Sequence, residues 1–547
     1  MELKLLNLPS LLLPLCFLLL FTLFKRSRSS NLNLPPRPWK LPLIGSIHYV
    51  FNTLPHHAFH RLAQRHGQIM LVQLGLVDTL VISSPELAAE IMKIQDINFS
   101  SRPEIYVPKN LIYGCRDILF SPYGDYWRQI KKIAIVELLS TSRVRSYHSI
   151  FEDEISDFVM NIRKLSSENK SVNLSGMLLT LMNSIIGRCA VGDKGNLGKQ
   201  ERFILALEEI LELMSGFSVV DLFPSIKYLD VLVGVKSRVQ RLHQHVDEIL
   251  QGIIKEHELK QARRTSPRGE EAEDLLDVLL RIRRQGELEI PLTDDNLKAV
   301  ILDMFLAGTD TTSTLIAWVM SQLIKNPLVI EKAKEEVRRI LKGKTNIKKR
   351  DLEELSYLKY VTKETLRLHP PVPLLGLKMC IDSCKVAGYD IPAGTRVVIN
   401  AWAIGRDPRY WKDAEQFKPE RFVDNPIDFK GKNFEFLPFG AGRRMCPGIS
   451  FANAVVEFTL AQLLLHFDWK LPNRMTHEEL DMTESFGITS PRKFDLYLVA
   501  TPYFPPCYQK VMGIGNDYVM ESRSPLLVLQ FQLHISHQLS KSDGNRK

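Results

Sequence analysis

From Leu5 to Phe24 the chain is almost wholly apolar and carries no charge. At about 1.5 Å per residue, such a run crosses a hydrocarbon core of roughly 30 Å and predicts a membrane helix. Lys25, Arg26 and Arg28 follow at once, whereas only Glu2 and Lys4 precede it. The positive-inside rule then leaves the rest of the chain in the cytosol. A cleaved signal would have a shorter apolar region and small residues at a cleavage site, which SRSSNLN lacks. The expectation is a retained anchor over residues 1–24. The sequons at Asn98, Asn169 and Asn173 would be glycosylated only in the opposite topology.

Beyond the anchor the pattern changes twice. Residues 25–45 are basic, then dense in proline (Pro35, Pro36, Pro38, Pro42), which predicts a stiff, extended hinge. Helix-period patterns then run over roughly 201–215, 239–262, 297–326, 328–342 and 353–369, with Pro327, Gly343 and Pro370 each closing one. Alternating segments at Leu71–Ser83 and Lys385–Asn400 predict small antiparallel sheets. Strands near both ends of the body with helices between them suggest a mainly helical α+β class. The stretch 256–274 is charged and broken by Pro and Gly, so it reads as a solvated loop. No internal repeat is present.

Composition excludes more than it selects. Of 547 residues, 45% are hydrophobic and 24% charged, as in ordinary globular proteins. Length alone allows several domains or one unusually large one. Seven scattered cysteines argue against a disulfide framework, and Cys380 with Cys384 has no second pair for a zinc site. A net charge of +9 fits nucleic acid, an acidic membrane or an acidic protein equally. Gly440-Ala-Gly442 has Met445 where a dinucleotide loop needs its third glycine. Gly343-Lys344-Thr345 has Arg338 in place of the upstream glycine of a phosphate loop.

Four constellations carry chemistry. The first is Phe439-Gly-Ala-Gly442-Arg-Arg444-Met-Cys446-Pro-Gly448, leading into an apolar helical run. A thiol just ahead of a helix N-terminus meets backbone N–H donors and the positive end of the dipole, which favour thiolate. Flanking glycines admit a large flat group, and an arginine two residues earlier can bind a carboxylate. One thiolate without companion ligands suits the axial position of a heme better than tetrahedral zinc. The second is Thr309-Asp310-Thr311-Thr312-Ser313, set between apolar runs. Five polar residues in succession occupy every side of a helix, so some face inward, either to relay protons or to bond their own carbonyls. The third, Glu364 and Arg367 at i and i+3, reads by itself as a surface ion pair. The fourth, Phe417-Lys-Pro419-Glu420-Arg421-Phe422, reads by itself as a loop.

Together these segments resemble the cytochrome P450 family. The first matches its heme signature F-x-x-G-x-R-x-C-x-G, the second its A-G-x-D-T-T helix, and the others its E-x-x-R and P-E-R-F motifs. The resemblance covers roughly residues 34–503 and is strongest to plant microsomal members, including some that oxidise terpenoids. It implies a P450 fold over 46–507, heme b, and Cys446 as the axial iron ligand. Arg444, Trp127, Lys131, Lys378, Phe439 and Gly448 would contact the heme. Ala307 and Gly308 would leave room for oxygen, Asp310 and Thr311 would deliver protons, and Glu364, Arg367 and Arg421 would form a structural triad. Three departures stand out: Arg37 replaces a hinge glycine, Lys131 replaces an arginine, and Leu377-Lys378 replaces Pro-Arg. Lysine keeps the charge but loses the bidentate fork.

The implied activity is a monooxygenase of the endoplasmic reticulum membrane, inserting one oxygen atom from O2 into a lipophilic plant metabolite, most plausibly a terpenoid. Electrons would come from NADPH through cytochrome P450 reductase, an acidic partner that suits the net positive charge better than nucleic acid. The same chemistry on an alkaloid or phenylpropanoid, a reductase-independent isomerase or dehydratase, and a non-catalytic heme binder are the alternatives. By family position, Ile105, Val107, Leu111, Ile112, Phe217, Val219, Val220, Leu374, Leu375, Phe486 and Ile488 would line an apolar substrate pocket. The tail 508–547 resembles nothing recognisable and is expected to be disordered.

Overall fold

The computed structural model describes residues 32–192, 197–214, 219–223, 234–262, 273–342, 344 and 347–503. The expected anchor, the tail, the stop at Gly343 and Phe217 lie outside them.

The longest helix, α8 (Asp294–Lys325, 32 residues), runs through the centre of the body. It opens with a reciprocal cap, in which the Thr293 side chain accepts from Asn296 N–H and Asn296 reaches back to Thr293. In chain order its neighbours are α1 (Pro55–His66), α2 (Asp125–Ile133), α3 (His148–Ser167), α4 (Leu174–Val191), α5 (Leu197–Leu213), α6 (Val235–Ala262) and α7 (Leu275–Gln285). After it come α9 (Pro327–Ile340), α10 (Ser356–Leu368) and α11 (Ile449–His466). Helix α4 packs closely on α8 because Gly308 has no side chain. A Cβ there would lie 2.6 Å from Ile186 Cδ1. Helices α4, α8 and α11 are long and apolar enough to cross a membrane. Their apolar side chains (Ile185, Ile316, Leu460) instead share one core, and a helix apolar on most sides is satisfied by burial in protein.

The principal sheet follows the order β1 (Ile69–Leu74), β2 (Val77–Ile82), β7 (Arg396–Ile399), β4 (Lys378–Met379). Its first pair is antiparallel, as expected, but β2 and β7 run parallel. Alternation along a strand reports which face is buried and says nothing of which distant strand will pair. Register aligns Leu71, Leu80, Val397 and Lys378 in one row across the sheet, which brings a lysine onto an otherwise apolar face. Strands β5 (Cys384–Val386) and β6 (Tyr389–Ile391) form a hairpin, and β3 (Val172–Asn173), β9 (Tyr497–Pro502) and β8 (Phe467–Lys470) a third sheet.

Two further expectations change. The charged stretch from Glu256 is helical as far as Ala262 within α6, because its period continues through the buried Ile254 and His257. Asp274, at its other end, caps α7. Pro327 does not simply end a helix: it is the first residue of α9, where its missing N–H costs nothing. The hinge is docked on the sheet. Pro36 carbonyl accepts from Leu71 N–H, and Arg37, in the place of the usual glycine, pairs with Asp78 at 3.1 Å.

Candidate active site

The segment Phe439–Gly448 forms a tight loop ahead of α11. Cys446 N–H donates to Phe439 carbonyl at 3.0 Å. Gly442 adopts φ +69, and a Cβ there would lie 2.2 Å from Met92 carbonyl, so only glycine fits. Asp96 then grips the loop, accepting from Arg443 N–H at 3.0 Å and from its guanidinium at 2.9 Å. Cys446 is a free, exposed cysteine whose Sγ lies beside Gly448. A Cβ at Gly448 would sit 3.8 Å from it. Burial pushes the thiol pKa up, while Gly448 N–H and the Lys131 charge pull it down. The thiolate-favouring helix terminus expected from sequence is present but outweighed by desolvation.

Beside the loop lies a cluster of four cations, Arg102 and Lys378 buried, Lys131 and Arg444 half-buried. Arg444 donates to the carbonyls of Ser100, Ile118 and Ser121 and lies 3.9 Å over the Trp127 ring. Lys131, one turn after Trp127 on α2, donates to Arg443 carbonyl on the loop and lies 5.0 Å over the same ring. Lys378 has its acceptor, Phe99 carbonyl, at 3.4 Å. Arg102, which the sequence reading did not single out, donates to the carbonyls of Leu119, Gly376 and Leu377. Nothing in Ser101-Arg102-Pro103 distinguishes it from a surface arginine. Burial lowers all four, helped by repulsion from neighbouring cations at Lys378, Lys131 and Arg444: Lys378 to about 7, Lys131 and Arg444 to about 8 and Arg102 to about 10. Burial is the largest cause in each case. For Arg102 it is the only lowering one, because Asp117 raises its pKa.

Positive charge this concentrated, bonded to carbonyls, is a site for an anion. Two carboxylates of a flat group lying against Cys446 would suit it, so the residues present fit heme. Trp127 stacks beneath two of these cations. Its indole N–H is already given to Ile118 carbonyl at 3.0 Å, so the ring supports the cations from beneath.

On α8, Ala307 is exposed and Gly308 is consumed by packing on α4, so only the first of the pair opens space. Thr311 Oγ1 donates to Ala307 carbonyl at 2.6 Å. Asp310 accepts instead from Thr489 Oγ1 at 2.5 Å, on the segment after residue 485. Burial raises the Asp310 pKa, opposed by the Thr489 bond and assisted by Glu208. Asp310 and Thr311 are thus neighbours with separate partners. Thr489 neighbours Ile488, one of the residues expected on the pocket wall.

Beneath the loop, Glu364 and Arg367 on α10 form a bidentate pair, both distances 2.8 Å, with neither side chain exposed. Arg421 joins at 2.9 Å, and Arg367 also donates to the carbonyls of Gly405, Ala414 and Gln416. The surface ion pair that spacing alone would predict is therefore a buried triad.

A channel partly continuous with solvent is lined by Ile105, Leu374, Leu375, Phe486 and Ile488, as expected, and by Arg102 of the cation cluster. Met214 also lines it. Val107, Leu111 and Ile112 are fully buried in the core and do not. These three follow Ile105 around the short helix Tyr106–Leu111 and its end, and that helix turns them inward. Val220 is half-buried and not on the channel, and the Val219 side chain lies outside the described residues. Leu375 reaches the Cys446 loop, since its Cδ1 would lie 3.9 Å from a Cβ at Gly440.

Residues 35–497 match the family model Cytochrome P450. Premnaspirodiene oxygenase of Hyoscyamus muticus is 48% identical over 499 residues, 91% of this chain and 99% of that protein. Desmethyl-deoxy-podophyllotoxin synthase of Sinopodophyllum hexandrum is 49% identical over 491 residues, 89% of this chain and 96% of that protein. Among solved structures, a zebra fish cytochrome P450 with progesterone superposes with a TM-score of 0.70 at 24% identity, covering 83% of this chain and all of the other. A match spanning most of the chain, carried by a glycine-locked cysteine loop beside a cluster of four cations, makes this chain a member of the cytochrome P450 family.

Proposed function

We propose that this P450 monooxygenase oxygenates a lipophilic terpenoid at the cytosolic face of the endoplasmic reticulum, with electrons from NADPH–cytochrome P450 reductase. The observation that carries the substrate reading is the channel. Its walls are dominated by Ile, Leu, Met and Phe, and Leu375 extends it to the cysteine loop. Such walls bind a hydrocarbon skeleton by burial and leave few groups to satisfy a polar one. The premnaspirodiene-oxidising relative agrees with this reading.

Heme b, held by Cys446, supplies the oxidising chemistry when bound. Arg444, Lys131, Lys378 and Arg102 would hold its carboxylates, with Trp127 steadying two of them, and Phe439 and Gly448 would contact it. Ala307 would leave room for oxygen. Asp310, positioned by Thr489, holds a proton at its carboxyl, and Thr311 passes one on when its hydroxyl turns from Ala307 carbonyl. The triad of Glu364, Arg367 and Arg421 keeps the loop in place and does no chemistry. Residues 1–24 anchor the chain, 25–45 form the hinge, 46–507 the catalytic body, and 508–547 a separate tail.

Microsomes containing the full chain and reductase, given a terpene panel and read by mass spectrometry, are expected to add one oxygen atom to at least one terpene, only with NADPH. Oxidation confined to alkaloids or phenylpropanoids would overturn the terpenoid reading, and turnover without NADPH would overturn the monooxygenase itself.

The proton route has its own expected result. In Thr311→Val, close to isosteric, heme content holds and NADPH is still consumed, but peroxide rises and product per NADPH falls. Asp310→Asn is expected to lower product formation by about 10²–10⁴-fold, the usual weight of positioned proton transfer. Thr314→Val, buried on the same helix, serves as control. Unchanged coupling in Thr311→Val would mean that its hydroxyl only bonds its own helix.

A further inference from the structure

At the outer wall of the channel, away from the cysteine loop, one carboxylate meets three imidazoles. Glu484 Oε2 lies 2.7 Å from His56 Nε2 and 3.3 Å from His57 Nε2, and its Oε1 lies 3.4 Å from His369 Nδ1. The first two histidines open α1, whereas Glu484 adjoins the segment carrying Ser485 and Phe486, so the cluster joins two walls of one channel.

Two features distinguish it from an ordinary buried ion pair. His57 Nε2 is buried and, though 3.3 Å from Glu484 Oε2, makes no well-aligned hydrogen bond. The His369 proton is placed by its surroundings: Gln322, 2.8 Å from His369 Nε2, can donate there, which puts the ring proton on Nδ1 and aims it at Glu484 Oε1. That is the outer-shell arrangement that orients a ligating carboxylate, and it leaves Oε2 as the lone acceptor between two imidazole nitrogens. The nearest cation, Arg406, is paired with Glu415 at 3.3 Å and lies 3.8 Å over Trp402, so its charge is already answered.

Tetrahedral zinc with bonds of about 2.0 Å sets neighbouring ligand atoms about 3.3 Å apart. The His57–Glu484 separation already has that value, and the His56–Glu484 gap needs to open by about half an ångström. We infer that His56 Nε2, His57 Nε2 and Glu484 Oε2 form a binding site for a zinc-class divalent cation, with the fourth position left to water, pinning α1 to the 484–490 segment at the channel wall.

Purified full-length, heme-loaded protein, stripped with a chelator and then given zinc chloride and dialysed, is expected to retain one zinc per chain by mass spectrometry. Calorimetry should show zinc affinity falling at least tenfold in His57→Ala. That residue is one-third exposed and outside the heme machinery, so heme content should hold. Zinc-edge X-ray absorption on the wild type reports the ligands without any variant, and two imidazoles with oxygen are expected. Zinc retention at background level, equal retention in His57→Ala, or a thiolate shell from Cys380 and Cys384 would each overturn the site.

Discussion

Cys446→Ala removes the absorbance band that thiolate-ligated heme gives when reduced and bound to carbon monoxide, and with it all oxygenation. Cys380→Ala keeps both. The two substitutions remove the same atoms from different surroundings. Cys380 Sγ is buried against Asn98, Asp382 and Cys384, and its pKa is pushed up to about 12. It is therefore a neutral thiol with no open face. Cys446 Sγ faces space, and the charge on Lys131 and the Gly448 N–H both favour its thiolate. Metal coordination then completes the deprotonation that burial alone resists. A persisting band in Cys446→Ala, measured at equal heme content, would move the ligand to another residue.

Arg367→Ala is expected to cost about 3–5 kcal/mol, because it leaves Glu364 buried with only Arg421 and Lys418 N–H to answer its charge. It also strips the carbonyls of Gly405 and Ala414 of their side-chain donor and leaves Gln416 carbonyl to Arg421 alone. The measurable result is a large fall in the unfolding midpoint together with loss of bound heme, since the segment these bonds hold runs on into the cysteine loop. Arg367→Lys rescues little, because one ammonium cannot span two carboxylate oxygens and three carbonyls. Lys332→Ala breaks the exposed Lys332–Glu420 pair and should change stability by less than about 1 kcal/mol. Equal effects from the two alanine substitutions would show that the triad is not a structural keystone.

The cysteine loop was legible in sequence because its requirements are local. Glycines at positive φ, a thiol and a helix start all fall within ten consecutive residues. Helices α8, α9 and α10 were legible for the same reason, since their periods and stops are written along one stretch of chain. The triad was not legible from spacing: an i, i+3 pair looks alike on a surface and in a core. Only the packing of α10 under the loop around Pro419–Phe422 buries it. Arg102 and Thr489 escaped notice because each acquires its partners from segments far away in the chain, Gly376 and Asp310 respectively.

What the sequence determined by itself was the identity of each short-range device, namely the apolar first segment, the helical periods, the loop that presents Cys446 and the family those motifs imply. Tertiary structure alone decided which of those devices meet. It set β2 parallel to β7, turned Gly308 toward Ile186, and gave Asp310 to Thr489 while Thr311 bonded its own helix. It also gathered Arg102, Lys131, Lys378 and Arg444 into one cationic cluster. The reason is physical. Local backbone preferences depend on neighbours in sequence, whereas burial, pairing and pKa depend on what the whole fold brings within a few ångströms, and no periodicity along the chain encodes that distance.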